Sequence, residues 1–274
     1  MKPGALSDGQ PAPEGYQHVA LRGTEAVART DIVDAVRSAL SAGTLYDYAA
    51  HHEDARSLTG RGVVYAVPFP NGERVVIRHN RHGGLLAPVT GDRFLPPTRA
   101  PRELAVALRL TQAHVPTPEV LAYAVYRAGL FLRRSDVVTR EVRDGRDLAM
   151  VLGSTDGDER RAALDAAAEL IARLSAAGAR HHDLNVKNIL LAPSEDRTGG
   201  FTALVLDVDR VEFRRAGDSR TAELNLARFA RSARKWRDLH GARVDEGDLA
   251  RVGESVRRGV ASRASGARRA STRS

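Results

Sequence analysis

A short polar segment that follows an apolar repeat at helical spacing constrains the fold of this chain most. Residues 181–188 read HHDLNVKN, and Asp207 ends an apolar run further along the chain. The preceding repeat, Leu164–Leu174, predicts a helix that Gly178 can end. Each carboxylate alone is compatible with a loop residue that caps a turn. An Asp and an Asn five residues apart, followed by an Asp after a strand, seldom occur together by chance.

This spacing matches the pattern H-x-D-L-x-x-x-N followed by D-x-x of phosphotransferases with the protein-kinase fold. Phosphoryl transfer consists mostly of positioning and charge neutralisation. Asp183 is therefore the candidate catalytic residue, which orients the attacking hydroxyl and accepts its proton. Asn188 and Asp207 are candidate ligands of Mg²⁺ on the phosphates of ATP. The pattern predicts an α+β, bilobal protein-kinase-like fold that encloses ATP.

Strand signals fill the first half of the chain and helix signals the second. The strand-like runs are 62–68, 74–79, 120–127 and 130–142, and Asn71-Gly72 is expected to join the first two as a hairpin. A helix that starts at Pro101 places Glu103 on its inward apolar stripe. We expect an antiparallel-sheet N-lobe with one helix over residues 15–142 and a mostly helical C-lobe over 143–250.

Both ends of the chain lack hydrophobic periodicity. Residues 1–14 are rich in Gly and Pro, and the basic segment 251–274 ends in a low-complexity run of Arg, Ser and Ala. Such compositions bury too little apolar surface to offset the entropy of ordering. The sequence predicts a flexible N-terminus over 1–14 and a flexible, basic C-terminal tail over 251–274.

Residues upstream of the polar segment are candidates for nucleotide binding. Gly60, Arg61 and Gly62 form a short turn whose backbone can approach phosphates, although a plain hairpin explains a lone G-x-G equally well. The strand that ends at Arg78 corresponds to the V-A-I-K strand of protein kinases, with arginine in place of the lysine that contacts the α- and β-phosphates. Glu103 is the natural partner of Arg78, because an arginine can contact both a carboxylate and phosphates.

Several stretches of the chain resemble the lipopolysaccharide-core sugar kinases, a family that includes the kinases of 3-deoxy-D-manno-octulosonic acid (Kdo), to which the likeness is greatest. The likeness extends from about Tyr16 to Leu249. Its segments are Gly60–Gly62 (G-R-G), Ile77–Gly84 (R-H-x-x-x-G-G), Gly91–Phe94, Val115–Pro118 (V-P-x-P), Asp183–Leu191 (D-L-N-x-x-N-I-L-L), Asp207–Arg210 (D-x-D-R) and Asn225–Ser232 (N-L-x-R-x-x-R-S). D-L-N and D-x-D-R together with R-H-x-x-x-G-G are specific to the family, whereas V-P-x-P alone is not.

The resemblance implies phosphorylation by ATP of a sugar hydroxyl on a Kdo–lipid A precursor at the cytoplasmic face of the inner membrane. The residues that we assign to substrate binding on this basis are His79, Arg81, His82, Gly83, Arg228 and Arg231. Arg228, Arg231 and Lys235 also form a stripe at i, i+3 and i+7 that can meet the phosphates of an anionic membrane surface. A solvated helix face is the alternative for this stripe. The opposite face, which includes Phe229 and Trp236, is expected to pack in the core.

Three departures from the family pattern concern only the fit of the acceptor or nucleotide. His182 stands where relatives often have a small polar residue, Val208 replaces the usual Phe, and Pro88 stands where many relatives have a lysine. None of the three removes a predicted metal ligand or the predicted base.

Composition excludes several other classes of protein. The chain has no cysteine, which excludes disulfides, zinc–thiolate sites and cysteine nucleophiles. The lack of cysteine favours a reducing cytoplasm. No apolar run suits a signal peptide or a membrane span. Peripheral association with the inner membrane is what the family resemblance implies. The formal net charge is +8, and nearly all of the basic residues are arginines. This bias indicates either a solvated surface or anionic ligands.

Two other functions fit parts of the sequence. A soluble kinase of small molecules or proteins would keep Asp183, Asn188 and Asp207 but would not need the R-H-x-x-x-G-G stretch. A non-catalytic module would be a pseudokinase or a basic binder of nucleic acid. The intact Asp183, Asn188 and Asp207 argue against a pseudokinase. Aromatic residues make up 5% of the chain, which gives no stacking platform, so no specific nucleic acid is expected as a partner.

Overall fold

A computed structural model describes residues 11–21, 23–58, 63–80, 92–129, 131–154, 157–194 and 199–271, with side chains through Ser265. The chain divides into two compact units. The first comprises Met1–Ala105 with Glu119–Glu141, and the second comprises Val106–Pro118 with Val142–Ser274. Residues 106–118 therefore belong with the second unit, whereas the sequence analysis placed them in the first lobe.

An antiparallel sheet forms the first unit, and it confirms the sheet expected there. Its strands are β1 (Tyr16–Leu21), β2 (Thr24–Arg29), β3 (Arg56–Leu58), β4 (Val64–Pro68), β5 (Arg74–His79), β6 (Val120–Arg127) and β7 (Arg133–Arg140). They lie in the order β1-β2-β6-β7-β5-β4-β3. Strands β4 to β7 follow the apolar runs of the sequence.

The predicted turn at Asn71-Gly72 joins β4 to β5. The amide of Phe69 donates to the carbonyl of Glu73 at 2.8 Å, and that of Gly72 donates to the carbonyl of Phe69 at 2.7 Å. Gly72 has a φ of +82°, which a glycine adopts without steric cost. This hairpin sets the register that pairs Val64 with Arg78.

The first unit contains more helix than the single one expected. Helices α1 (Val33–Ser41) and α2 (Leu45–His51) precede β3, and α3 (Arg99–Gln112) begins in this unit and continues into the second. Thr44 and Asp47 form a reciprocal capping box at the start of α2. Both short helices pack against the sheet in one apolar core, in which Leu45 and Ile77 are fully buried.

The second unit is mostly helical, as predicted. Its own helices are α4 (Leu148–Ser154), α5 (Gly157–Ala176), α6 (Ser219–His240) and α7 (Glu246–Ser271). Its strands are β8 (Arg146–Asp147), β9 (Ala179–His181), β10 (Ile189–Pro193), β11 (Phe201–Val205) and β12 (Val211–Phe213). They form a three-stranded sheet in the order β11-β10-β8 and a pair of β12 with β9. No helix of the described residues is long and apolar enough to span a membrane.

The basic segment from residue 251, which we expected to be flexible, is helical as far as Ser271. Val252 and Val256 are buried on one side of α7, so a helix here has an apolar stripe to bury. A Cβ added at Gly259 would lie 2.8 Å from the Cβ of Ala172, which shows how closely α7 packs on α5. Alanine and arginine are strong helix formers, and their abundance here therefore supports a helix.

Gly178 follows α5 and allows the chain to turn into β9. Its φ is +71°, and an added Cβ would lie 2.5 Å from the carbonyl oxygen of Arg214. Gly178→Ala is expected to lower the free energy of unfolding by more than about 3 kcal/mol, because a backbone clash adds to left-handed strain. Gly241, with a φ of +66° and open space around it, is the matched control, and Gly241→Ala should cost only about 1 kcal/mol. Urea unfolding measures both, and equal losses would contradict this role of the backbone contact.

Candidate active site

The polar segment 181–188 lies between β9 and β10, and its backbone is fixed by two asparagines. The side-chain oxygen of Asn185 accepts hydrogen bonds from the amides of Lys187 at 2.9 Å and Asn188 at 3.1 Å. The side-chain amide of Asn188 donates to the carbonyl of Asp183 at 2.9 Å. Asn185 and Asn188 are both buried. The loop that carries Asp183 is therefore held by its own side chains.

Asp207 is brought next to this loop by a backbone contact. The amide of Leu206 donates to the carbonyl of Asn188 at 2.9 Å. Asp207 itself has a φ of +53° and a ψ of +46°, the left-handed conformation, and its side chain is exposed. Val208 after it is buried, which anchors the turn. The structure thus brings Asp183, Asn188 and Asp207 together, as the spacing predicts.

His181 connects the loop that carries Asp183 with the segment that leads to Asp207. Its Nδ1 accepts a hydrogen bond from the amide of Asp183 at 3.1 Å, and its Nε2 donates to the carbonyl of Leu206 at 2.9 Å. This pattern requires the neutral imidazole. Burial lowers the pKa of His181 below its ordinary value, which favours that form. The sequence alone predicts no separate role for His181, because a histidine at this place in the motif does not reveal which backbone groups it contacts.

Helix α6 holds the loop through three polar side chains on one face. The side-chain oxygen of Asn225 accepts from the amide of His181 at 3.1 Å, and its amide group donates to the carbonyl of Ala179 at 3.0 Å. Ser232 accepts from the amide of Val186 at 3.2 Å. Asn225 is fully buried. The N-L-x-R-x-x-R-S segment contained this signal, but the sequence analysis assigned no site role to Asn225 or Ser232.

Arg228 lies between those two contacts, and its guanidinium Nη2 forms an ion pair with Oδ1 of Asp183. Of the expected stripe of Arg228, Arg231 and Lys235, the first member therefore also contacts the loop, and the role of the stripe at a membrane surface stays a prediction. Arg231 and Lys235 are exposed. On the opposite face Phe229 is buried, as expected. The residues of α6 that contact the loop are Asn225, Arg228 and Ser232. They repeat at i, i+3 and i+7, as the expected stripe does, and Arg228 belongs to both sets.

In the first unit the structure pairs Arg78 with Glu103. Nη2 of Arg78 contacts Oε1 of Glu103, whose side chain is 5% exposed, whereas that of Arg78 is 26% exposed. Nη1 of Arg78 also donates to Oδ1 of Asn80 at 3.4 Å. Helix α3 presents Glu103 inward, in agreement with its place on the apolar stripe. The carboxylate of Glu103 thus holds one edge of the Arg78 guanidinium.

His79, which we assigned to substrate binding, lies between two carboxylates. Nδ1 donates to Asp136 at 2.5 Å and Nε2 donates to Asp92 at 3.0 Å. Asp136 is fully buried and also accepts from the amide of Tyr46 at 2.9 Å. Burial lowers the pKa of His79, but the hydrogen bonds and charges of Asp136 and Asp92 outweigh it and raise that pKa. Both ring nitrogens are therefore occupied within the protein.

The remaining predicted site residues lie outside the described part of the chain. They are Gly60, Arg61 and Gly62 of the glycine-rich turn and Arg81, His82 and Gly83 of the R-H-x-x-x-G-G stretch. Their roles stay predictions.

The side chains of Asn188 and Asp207 suit a divalent cation that arrives with a nucleotide. The hydrogen bond from the Asn188 amide group to Asp183 leaves its oxygen as the ligand atom, and Asp207 offers an exposed carboxylate. Within the described residues no group of three or more His, Asp or Glu side chains forms a metal site. Mg²⁺ commonly takes one or two protein ligands and completes its shell with substrate phosphates and water. The donor set fits that ion.

Comparison with known proteins assigns a family to these features. A family model described as "Lipopolysaccharide kinase (Kdo/WaaP) family" matches residues 49–252. The 3-deoxy-D-manno-octulosonic acid kinase of Actinobacillus succinogenes is 33% identical over 196 residues, which are 69% of this chain and 78% of that protein. The kinase of the same name from Xanthomonas oryzae pv. oryzae is 35% identical over 194 residues, 68% of this chain and 72% of that protein.

A solved structure of WaaP in complex with acyl carrier protein has a TM-score of 0.53 at 19% identity, over 81% of this chain and 86% of that one. This likeness concerns the fold alone. It confirms the expected α+β, protein-kinase-like fold.

The His79 network makes the stability of the first unit depend on pH. Because the pKa of His79 is raised in the folded protein above its ordinary value of 6.5, protonated His79 stabilises the fold fully below that value, and the contribution is lost as the pH rises through the raised pKa. The loss of stability caused by His79→Gln should therefore be largest near pH 5 to 6 and smaller at pH 9. Urea unfolding across this range measures it. His114→Asn is the control, since His114 is exposed and has a φ of +54° that asparagine tolerates. A His79→Gln loss that grows with pH would contradict this assignment.

Proposed function

Because the chain belongs to the lipopolysaccharide kinase (Kdo/WaaP) family, we propose that it transfers the γ-phosphoryl group of ATP to a hydroxyl of Kdo in a Kdo–lipid A precursor. The chain is a phosphotransferase that acts on a sugar hydroxyl. The observation that carries the proposal is the joining of Asp183, Asn188 and Asp207 through the Leu206–Asn188 backbone contact. These are the three side chains that the transfer requires.

Asp183 acts on the acceptor in the proposed reaction. Its carboxylate accepts a hydrogen bond from the sugar hydroxyl and takes the proton as the hydroxyl oxygen bonds to the γ-phosphorus. The bond between that phosphorus and the bridging oxygen of ADP breaks in the same displacement, and ADP leaves with the electron pair. Asp183 later releases the proton to water. The backbone contacts of His181 and Asn188 keep the loop fixed during these steps.

Four described residues are proposed to act on the nucleotide. The amide oxygen of Asn188 and the carboxylate of Asp207 would hold Mg²⁺, which supplies positive charge to the phosphates. Arg78, whose side chain is partly exposed and contacts Glu103, would contact the α- and β-phosphates. The backbone of the glycine-rich turn at 60–62 is also predicted to approach the phosphates. Glu103 acts on the nucleotide only through Arg78, which it orients.

The choice of Kdo as the acceptor is supported by the similar kinases. The two kinases described above carry the name 3-deoxy-D-manno-octulosonic acid kinase, and each is more than 30% identical to this chain. Kdo is a carboxylate sugar, and on the precursor it is attached to a phosphorylated lipid. An arginine-rich protein suits such an anionic acceptor. We place the reaction at the cytoplasmic face of the inner membrane, where this precursor lies.

The acceptor is tested directly with radiolabelled ATP, Mg²⁺ and a panel of Kdo–lipid precursor, free sugars, aminoglycosides and a generic protein. We expect label in the Kdo–lipid precursor. Asp183→Asn should lower turnover by about 10³-fold while ATP still binds, because it removes the proton acceptor and keeps the shape. Asp207→Asn should weaken Mg²⁺-dependent ATP binding as well. Label in a different acceptor would contradict the proposed substrate, and substantial turnover by Asp183→Asn would contradict the assigned base.

Membrane association is tested on the exposed part of α6. Arg231 and Lys235 are exposed, and each basic residue near an anionic leaflet contributes about 1 kcal/mol. The double variant Arg231→Gln/Lys235→Gln should therefore bind vesicles rich in anionic lipid about 30-fold more weakly at low salt. Neutral vesicles are the control, and the variant and the unaltered protein should bind them equally weakly. Unchanged binding to anionic vesicles would mean that α6 is not the membrane-facing element.

A further inference from the structure

Helix α6 contacts the loop of the proposed base once per turn. Asn225, Arg228 and Ser232 follow one another at i, i+3 and i+7, which places them on one helical face. Asn225 and Ser232 contact backbone amides of the loop, at His181 and Val186. Arg228 is the member of the set that contacts a side chain, that of Asp183. The contacts of Asn225 and Ser232 fix the position of Arg228 along the helix axis relative to Asp183.

The Arg228–Asp183 contact lies within reach of solvent and of a ligand. The side chain of Arg228 is 30% exposed and that of Asp183 is 20% exposed. A guanidinium has five N–H donors, and the contact of Arg228 with Asp183 uses Nη2. Within the described residues Arg228 has no second carboxylate partner. The arginine therefore retains donors for another anion.

A guanidinium beside the proposed base orients the carboxylate, which favours a hydrogen bond to the acceptor hydroxyl. Its remaining N–H groups can donate to a second anion at the same time. An anionic group on the acceptor itself would supply that anion when the substrate is bound.

We infer that Arg228 positions Asp183 and, through its remaining donors, binds an anionic group of the acceptor close to the hydroxyl that receives the phosphoryl group. The inference deepens the proposed function and rests on it, because it concerns the acceptor of the same site. The ligand class is a sugar with a carboxylate or phosphate beside the reacting hydroxyl. Arginine suits either group, because its planar fork binds both bidentately.

The positioning role is tested with Arg228→Gln, Arg228→Lys and the control Arg220→Gln. Arg220 is exposed in the first turn of the same helix, so the control removes the same charge from α6. Arg228→Gln should lower kcat by about 10- to 100-fold, because a displaced carboxylate no longer meets the hydroxyl, and should leave the affinity for an ATP analogue unchanged. Arg228→Lys keeps the charge without the planar fork and should recover KM more than kcat. Arg220→Gln should match the unaltered protein.

Chemical rescue separates positioning from a purely structural role. Arg228→Ala leaves room for a guanidinium ion, and millimolar guanidinium should raise its kcat several-fold without changing its melting temperature. Loss of ATP binding and of melting temperature in Arg228→Ala, with no rescue, would overturn the positioning role. A kcat of Arg228→Gln equal to that of the unaltered protein would overturn it as well.

The anion contact is tested by changing the acceptor. One arm uses Kdo–lipid precursor whose Kdo carboxylate is converted to an amide, and the other uses precursor without its lipid phosphates. In the unaltered protein, removal of the anion that Arg228 binds should raise the KM about tenfold. In Arg228→Gln the same removal should have little further effect, since the partner is already absent. Equal effects of both removals in both proteins would overturn the anion contact.

The order of measurement keeps the inference apart from the proposed function. Turnover of the Kdo–lipid precursor by the unaltered protein is measured first, and its absence would contradict the proposed acceptor. The Arg228 series is then measured on whichever acceptor of the panel is labelled. A reduced kcat with rescue supports positioning on that acceptor too, whereas an unchanged kcat overturns it independently.

Discussion

The buried imidazole of His181 bonds to two loops that are far apart in sequence. One ring nitrogen accepts the amide of Asp183, and the other donates to the carbonyl of Leu206. Because the lowered pKa keeps the ring neutral, one nitrogen stays an acceptor and the other a donor. The positions of Asp183 and Asp207 thus depend on one tautomer. The pairing of β9 with β12, in which His181 faces Val211, holds the ring in place.

Many arginines form ion pairs within the fold. Arg29 pairs with Asp31 and Glu119, and Glu141 accepts ion pairs from Arg56 and Arg74. These pairs are partly exposed, and such pairs contribute little each. Pairs that share one carboxylate, as at Glu141, connect separate segments of the chain. Composition alone left open whether the arginines serve the surface or an anionic ligand. The structure shows arginines in ion pairs within the fold. Arg78 and Arg228, whose partly exposed side chains each contact a site carboxylate, are the arginines that we propose for an anionic ligand.

The elements that could be predicted were those with strong local patterns. Strands β4 to β7 follow apolar runs, α5 follows a regular repeat, and the spacing of Asp183 and Asn188 identifies the loop without any tertiary information. Helix α2 was missed because its seven residues are too few for a clear repeat. The pairing of Arg228 was missed for a different reason. A charge stripe and a loop-facing row have the same helical spacing, and only tertiary packing decides which one includes Arg228.

The left-handed backbone of Asp207 limits how the site can change over generations. Glycine, asparagine and aspartate adopt this conformation most easily, while β-branched residues strain it. Substitutions of Asp207 therefore differ in their effect on the backbone. Asparagine or glycine removes the charge and leaves the turn intact, whereas a β-branched residue removes the charge and also strains the turn. Descendants that lose phosphoryl transfer but keep the fold for binding should carry Asn or Gly here. The left-handed φ of Asp207 thus determines which substitutions give an inactive but folded paralogue and which give an unstable chain.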